Sequence, residues 1–225
     1  YLNIPKDKLG KEFIYFSQVS DGTSPSGYFR GSYRGSKIFK VEKYFDKIEL
    51  QLENTSYYYD STNAISKSAK ANINTPIIFS EKISVQDSTG YLIKANDLFL
   101  GEAFNQVKPS SFPGNGFGFN LGGISKERSK ITRVKNYPEN TDIFVSIGFN
   151  NPYPINGGDR STTDARFVNV ALQHSIIAMP ENNYKPRMDD PRVGYFTTQT
   201  EDMTNLSSKP YRDYIHRWHL EKKNP

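Results

Sequence analysis

Cysteine is absent from the 225 residues. No disulfide framework, thiolate metal site or cysteine nucleophile is therefore available. This does not fix the redox compartment, because cytosolic proteins and envelope proteins that never adopted disulfides share it. Tryptophan occurs once, at Trp218, and histidine three times, at His174, His216 and His219. No apolar run of about 18 residues exists to form a membrane-spanning helix. The first residues show neither the basic nor the apolar region of a signal peptide. HExxH and GxSxG do not occur, so neither the zinc-binding helix of a metalloprotease nor the nucleophile elbow of a serine hydrolase is encoded. The formal charge of +5 is modest for this length, and lysine and arginine are interspersed with aspartate and glutamate. A solvated, mixed surface is expected, and no nucleic-acid partner.

What the chain does have is aromatic residues, 15 Tyr and 15 Phe, and period-two alternation. Ile48, Leu50 and Leu52 point one way while Glu49, Gln51 and Glu53 point the other, the pattern of a half-buried strand. Phe39, Val41 and Phe45 would line the partner strand, with a turn near Asp46. A second hairpin places Ile77, Phe79, Ile83 and Val85 on one face, turns over Asp87 to Gly90 with Gly90 as the permissive residue, and returns over Tyr91 to Ala95. Ile143, Val145, Ile147 and Phe149 form one further apolar face. Val168, Val170, Leu172, His174 and Ile176 form another. "RVGYFTTQTED" and "DYIHRWHLEKK" read as closing strands. Helical signals are short: residues 61–73 with Ser61 or Thr62 as N-cap, Asp97 to Leu100, and Ser125 to Ser129. The expected class is mainly β, with antiparallel sheets forming a sandwich or an open barrel-like arrangement, a few short helices and long glycine-rich loops. Prolines and mixed charges in "MPENNYKPRMDDPR" suggest a boundary, dividing a β-rich domain at 1–183 from strands at 184–225 that lead onward or pack with it.

Each chemically suggestive stretch has a plainer reading. His216 and His219 form H-x-x-H, but on a strand an odd spacing sends the rings to opposite faces, and neither a third ligand nor a neighbouring general base is evident. His174 lies on an apolar strand face, where a hydrogen-bonded core histidine is expected. Gly114, Gly116 and Gly118 lack the strand before and helix after that a phosphate loop requires. Tyr28, Phe29 and Tyr33 alternate with Arg30, Arg34 and Lys37 and would suit stacking on rings, yet they read better as a loop entering a strand. Asp189, Asp190 and Asp202 match no calcium loop, and Asp190 with Arg187 suggests turn chemistry and a local ion pair.

Five stretches together resemble one family. "IPKDKLGKEFIYFSQVS", "VQDSTGYLIKANDLFLGE", "KERSKITRVKNYPENTDIFVSIGF", "MPENNYKPRMDDPRVGYF" and "YIHRWHLEKKNP" follow its motifs in order from Leu2 to Pro225. The family is that of large zinc-dependent metalloproteases of the met-zincin kind in the cell envelope of Gram-negative bacteria. The matching segment there is an uncharacterised domain preceding the catalytic domain. Two positions depart from the pattern: the family's Met before Lys-Pro-Arg is Tyr184, and the second Arg of its Arg-Trp-Arg is His219. An arginine in the place of His219 argues further against a zinc pair.

The resemblance implies a non-catalytic N-terminal domain that scaffolds or shields a downstream protease domain, in a periplasmic, outer-membrane-associated or secreted protein. Zinc would be bound in that downstream domain, with no cofactor in this chain. Arg187, Arg192, Tyr195, Arg217 and Trp218 are expected to lie near the junction and to be more exposed here than in the longer chain. The alternative is a free-standing module that binds a glycan, peptide or protein through aromatic-rich loops at Tyr28 to Tyr33 or Phe112 to Phe119.

Overall fold

The computed structural model describes residues 1–69, 71–107, 118–181, 183–218 and 220. Its strands are β1 (Leu2–Pro5), β2 (Glu12–Asp21), β3 (Tyr33–Tyr44), β4 (Lys47–Leu52), β5 (Tyr57–Tyr58), β6 (Ile77–Gln86) and β7 (Gly90–Ile93). A single helical turn, α1 (Asn96–Phe99), precedes β8 (Gly123–Asn136), β9 (Asn140–Asn150), β10 (Phe167–Ala178), β11 (Thr197–Asp202) and β12 (Tyr211–Ile215). The protein is mainly β, with a curled nine-stranded antiparallel sheet and a smaller sheet of three strands. Among the described residues no helix is long and apolar enough to cross a membrane.

Two compact units form, one from Tyr1–Leu52 with Pro76–Met179 and the other from Glu53–Thr75 with Pro180–Pro225. Residues 53–75, grouped from sequence with the N-terminal domain, thus fold with the C-terminal segment. The first unit holds the large sheet, in the order β1-β7-β6-β4-β3-β2-β10-β9-β8. Alternation decides its inner face. Ile143, Val145, Ile147 and Phe149 of β9 are buried there, as are Val168, Val170, Leu172 and His174 of β10 and Ile48 and Leu50 of β4. A segment with little regular structure covers this face, burying Leu98 and Phe99 of α1 together with Phe104, Val107 and Leu121. Each such side chain contributes roughly 1.5–3 kcal/mol by leaving water.

Several expected details differ. Phe45 does not share the buried face of Phe39 and Val41. It sits in the two-residue turn joining β3 to β4, exposed, with φ of 50°. Ile77 and Val85 are also exposed, at the two ends of β6, where register shifts interrupt the pairing. Asn63, not Ser61 or Thr62, caps the 3-10 helix Ala64–Ser68, accepting the Ile65 amide. The polar run Ser125 to Ser129 is no helical turn but a bulge within β8, pinned where the Ser129 hydroxyl donates to the Ser125 carbonyl and accepts the Gly148 amide.

Gly90 matters for a reason other than turn flexibility. The Asp87 carboxylate organises that turn by accepting the Thr89 and Gly90 amides and the Thr89 hydroxyl. Gly90 itself lies against β1, and a Cβ there would stand 2.6 Å from the Ile4 carbonyl oxygen. Gly90→Val should therefore push β1 off its edge of the sheet at a cost of about 1–3 kcal/mol. Faster amide exchange at β1, with β9 and β10 unchanged, would be the signature in hydrogen-exchange mass spectrometry.

Candidate functional site

The second unit is built around β11, which pairs antiparallel with β12 and parallel with the short β5. Its interior is polar. The Asp202 carboxylate, almost wholly buried, receives the Arg212 guanidinium at 2.5 Å, the Thr204 hydroxyl at 2.6 Å and the Thr204 amide at 3.1 Å. The Thr204 hydroxyl above all, with its amide and Arg212, holds the carboxyl below the usual carboxylate range. Arg212 also lies 4.2 Å over the Tyr58 ring, so one side chain ties all three strands together.

Beyond β12 the chain stays flanked on both sides. The Ile215 amide donates to the Arg187 carbonyl and the His216 amide to the Phe196 carbonyl. Arg217 donates to the Lys185 carbonyl at 2.7 Å and stacks 4.2 Å over Tyr184. Residues 215–217 therefore run between 185–187 and 196–198. This brings Arg187, Arg217 and the neighbourhood of Tyr195 together at one end of the unit. Arg187, Arg192, Tyr195, Arg217 and Trp218 are all exposed. Arg192 is engaged locally, pairing with Asp190 at 2.5 Å across a tight turn. The expected partner of Asp190, Arg187, is not the one it takes.

The apolar content of this end is its distinguishing feature. Trp218 is 88% exposed and Phe196 87%, and Met188, Val193, Tyr195 and Leu220 are exposed beside them in sequence or in pairing. Exposed apolar residues that are grouped, and not scattered singly, are the ones that mark interaction surfaces. Phe196 was not singled out from sequence. The available signal was the adjacent aromatic pair Tyr195 and Phe196, both of which lie before β11 begins and stay exposed.

The remaining candidates form no site of their own. His216 binds Thr198, with Nε2 at 2.6 Å from the hydroxyl oxygen. His219 lies outside the described residues. Asp189, Asp190 and Asp202 do not converge, since Asp190 and Asp202 each hold an arginine. Among the described residues no three His, Asp or Glu side chains come together as a metal ion would need. Tyr28 is not a displayed loop aromatic but a core residue under Arg34, whose guanidinium lies 4.7 Å over its ring. Gly114, Gly116 and Phe112 to Phe117 lie outside the described residues.

His174 is a hydrogen-bonded core residue. The Tyr15 hydroxyl sits 2.7 Å from Nδ1 and accepts from the Asn105 amide at 3.2 Å. With the phenol donating to Nδ1, the ring proton belongs on Nε2, on the side of the Phe99 carbonyl, although no partner there meets hydrogen-bond geometry. Burial pushes the imidazole down to about 4 and the Tyr15 phenol up to about 12.

Residues 31–223 match the family described as Domain of unknown function (DUF5117). The chain belongs to the DUF5117 family. No curated protein and no solved structure matches it. The matched residues contain the whole aromatic end of the second unit. They also contain every strand of the DUF5117 sheet except β1 and β2. β2 carries Tyr15 between β3 and β10, so the folded unit is larger than the matched stretch.

Proposed function

We propose that this chain is the non-catalytic N-terminal domain of a secreted or periplasmic zinc-dependent metalloprotease. Its role is to scaffold or shield the protease domain that follows it. The observation carrying this reading is the exposed aromatic end at Tyr195, Phe196 and Trp218, which falls on the two motifs, "RVGYF" and "YIHRWHLEKK", that most resemble the metalloprotease family. Aromatic and arginine residues that fill a partner's pockets are the usual anchors of an interface. Arg187 and Arg217 supply a cationic border to the same end. Zinc belongs, in this reading, to the following domain.

Trp218 reports on the proposal without any label, because it is the sole tryptophan of the chain. In the chain alone its fluorescence should be quenched freely by acrylamide. In protein extended through the following domain, a Trp218→Phe difference measurement should show that emission shielded. The extended protein should cleave casein in a zinc-dependent manner and the chain alone should not. Zinc-dependent cleavage by the chain alone would overturn the non-catalytic role. Association in trans with the isolated following domain should weaken by about 2 kcal/mol, roughly 30-fold, in Trp218→Ala. The melting temperature of the chain should not change, since the side chain packs on little of its own unit.

A further inference from the structure

β8 forms one edge of the nine-stranded sheet, and among the described residues it pairs only with β9. Its register assigns its side chains to two faces. Lys130, Arg133 and Lys135 stand opposite Ser146, Phe144 and Asp142 on the outer face, while Ile131 and Val134 stand opposite the buried Val145 and Ile143 on the inner one. Both sets are incomplete at the edge. Val134 is 56% exposed and Ile131 37%, although each continues the row of core residues in β9.

The outer face is cationic by construction. The bulge at residues 126–129 folds Arg128 over β9, where a Cβ on Gly148 would meet the Arg128 Cβ at 2.6 Å, so only glycine admits it. Arg128 then lies 4.6 Å over the Phe167 ring. Arg133 and Lys135 lie 5.0 and 5.9 Å over Phe144. Contacts of this kind hold the charges out on the face without neutralising them. Lys126 is paired with Asp97 and Arg166 with Asp164. Among the described residues no carboxylate lies within ion-pair distance of Arg128, Lys130, Arg133 or Lys135. Nearby acids are Asp142, whose carboxylate accepts the Ser175 hydroxyl, and Glu127 in the bulge.

We propose that the free edge of β8 binds an extended peptide in which acidic and apolar residues alternate, added as a tenth strand. Side chains of an added strand fall alternately on the two faces. Its acidic residues would meet Lys130, Arg133 and Lys135, and its apolar residues would cover Ile131 and Val134. Opposite charges directly across a strand pair stabilise it and like charges destabilise it. A second copy of β8 on this edge would set the cations against their own kind, so the charges that block self-pairing select an acidic partner. This inference concerns the first unit and is independent of the protease reading.

The test uses the whole chain and fluorescein-labelled synthetic peptides, read by anisotropy. A peptide alternating glutamate and valine should bind at low salt and weaken at about 0.5 M salt, where charges are screened. A lysine and valine counterpart should not bind. The double variant Arg133→Glu with Lys135→Glu should lose roughly tenfold or more in affinity, its fold checked by circular dichroism. Val134→Thr should also weaken binding, with the cations left in place. N-methylation of alternate peptide amides should abolish binding, and hydrogen exchange should slow at residues 130–136 in the complex. Absence of binding would overturn the proposal. So would equal binding of the N-methylated peptide, or of an acidic peptide with the same composition in two blocks, because charge alone would then account for it.

Discussion

Acidification from pH 7 to pH 4 is expected to destabilise the nine-stranded unit by about 3 kcal/mol through His174 alone. The ring is buried between Tyr15 and Phe99, and burial lowers its pKa from 6.5 to about 4. Between those values the unfolded chain binds a proton that the folded chain refuses. The stabilisation is thus complete above 6.5, falls away as pH drops toward 4, and changes no further below it. Carboxylates held low by hydrogen bonds, such as Asp87 and Asp164, begin to act only below about pH 5, so the slope between 6.5 and 5 belongs to the histidine. Among the described residues no carboxylate is hydrogen-bonded to the ring to oppose the effect. Urea unfolding at half-unit pH steps would measure it. His174→Asn should be less stable at pH 7, from lost ring packing, yet should keep an acceptor near the position of Nδ1 for the Tyr15 hydroxyl. It should also flatten the slope between 6.5 and 4. An unchanged slope in that variant would assign the pH dependence elsewhere.

His174 also illustrates what the sequence makes legible. Its place on the buried face follows from strict alternation with Val168, Val170 and Leu172, and the same logic locates Ile143 to Phe149 and Ile48 to Leu50. Strands with one wet face announce themselves this way. Alternation says nothing of the cover, however. Phe104, Val107 and Leu121 are as deeply buried as any strand residue, but they come from irregular chain with no period to reveal them. Bulges mislead in a related manner, because the polar run at Ser125 to Ser129 resembles a helical turn when its real effect is to swing Arg128 onto the outer face. The cationic face of β8 is invisible in the linear sequence for that reason. Its charges are interspersed with other residues along the chain and collected only by the pleat and the bulge. At the candidate site, Trp218 and Arg217 stood out as unusual residues in a resembling motif. Phe196 becomes visible only once its neighbours are seen to leave it uncovered. Nor does any local signal in residues 53–75 indicate that β5 pairs with a strand 144 residues further on.

That long-range pairing makes the Asp202–Arg212 pair the point at which the second unit should be most sensitive. Arg212→Met is expected to destabilise this unit by about 3 kcal/mol, the low end for breaking a buried ion pair. The low end applies because Arg212 keeps a third of its side chain in solvent and Thr204 still donates two hydrogen bonds to the carboxylate. Much of that cost is the orphaned charge and not the lost attraction, so Asp202→Asn added to Arg212→Met should recover part of it. The pH response should weaken in the variant, since Thr204 still lowers the carboxyl pKa but Arg212 no longer helps it. In the native chain the carboxyl pKa is lowered, chiefly by the Thr204 hydroxyl, so its stabilisation is present above the unfolded value and lost as pH falls through the folded one. In Arg212→Met burial acts with less opposition, protonation relieves the stranded charge, and the deficit relative to the native chain should shrink on acidification. Hydrogen exchange at β5 and β12 measures the effect where it arises. A deficit that is constant with pH and untouched by the second substitution would mean that Arg212 acts through its packing on Tyr58 and not through Asp202.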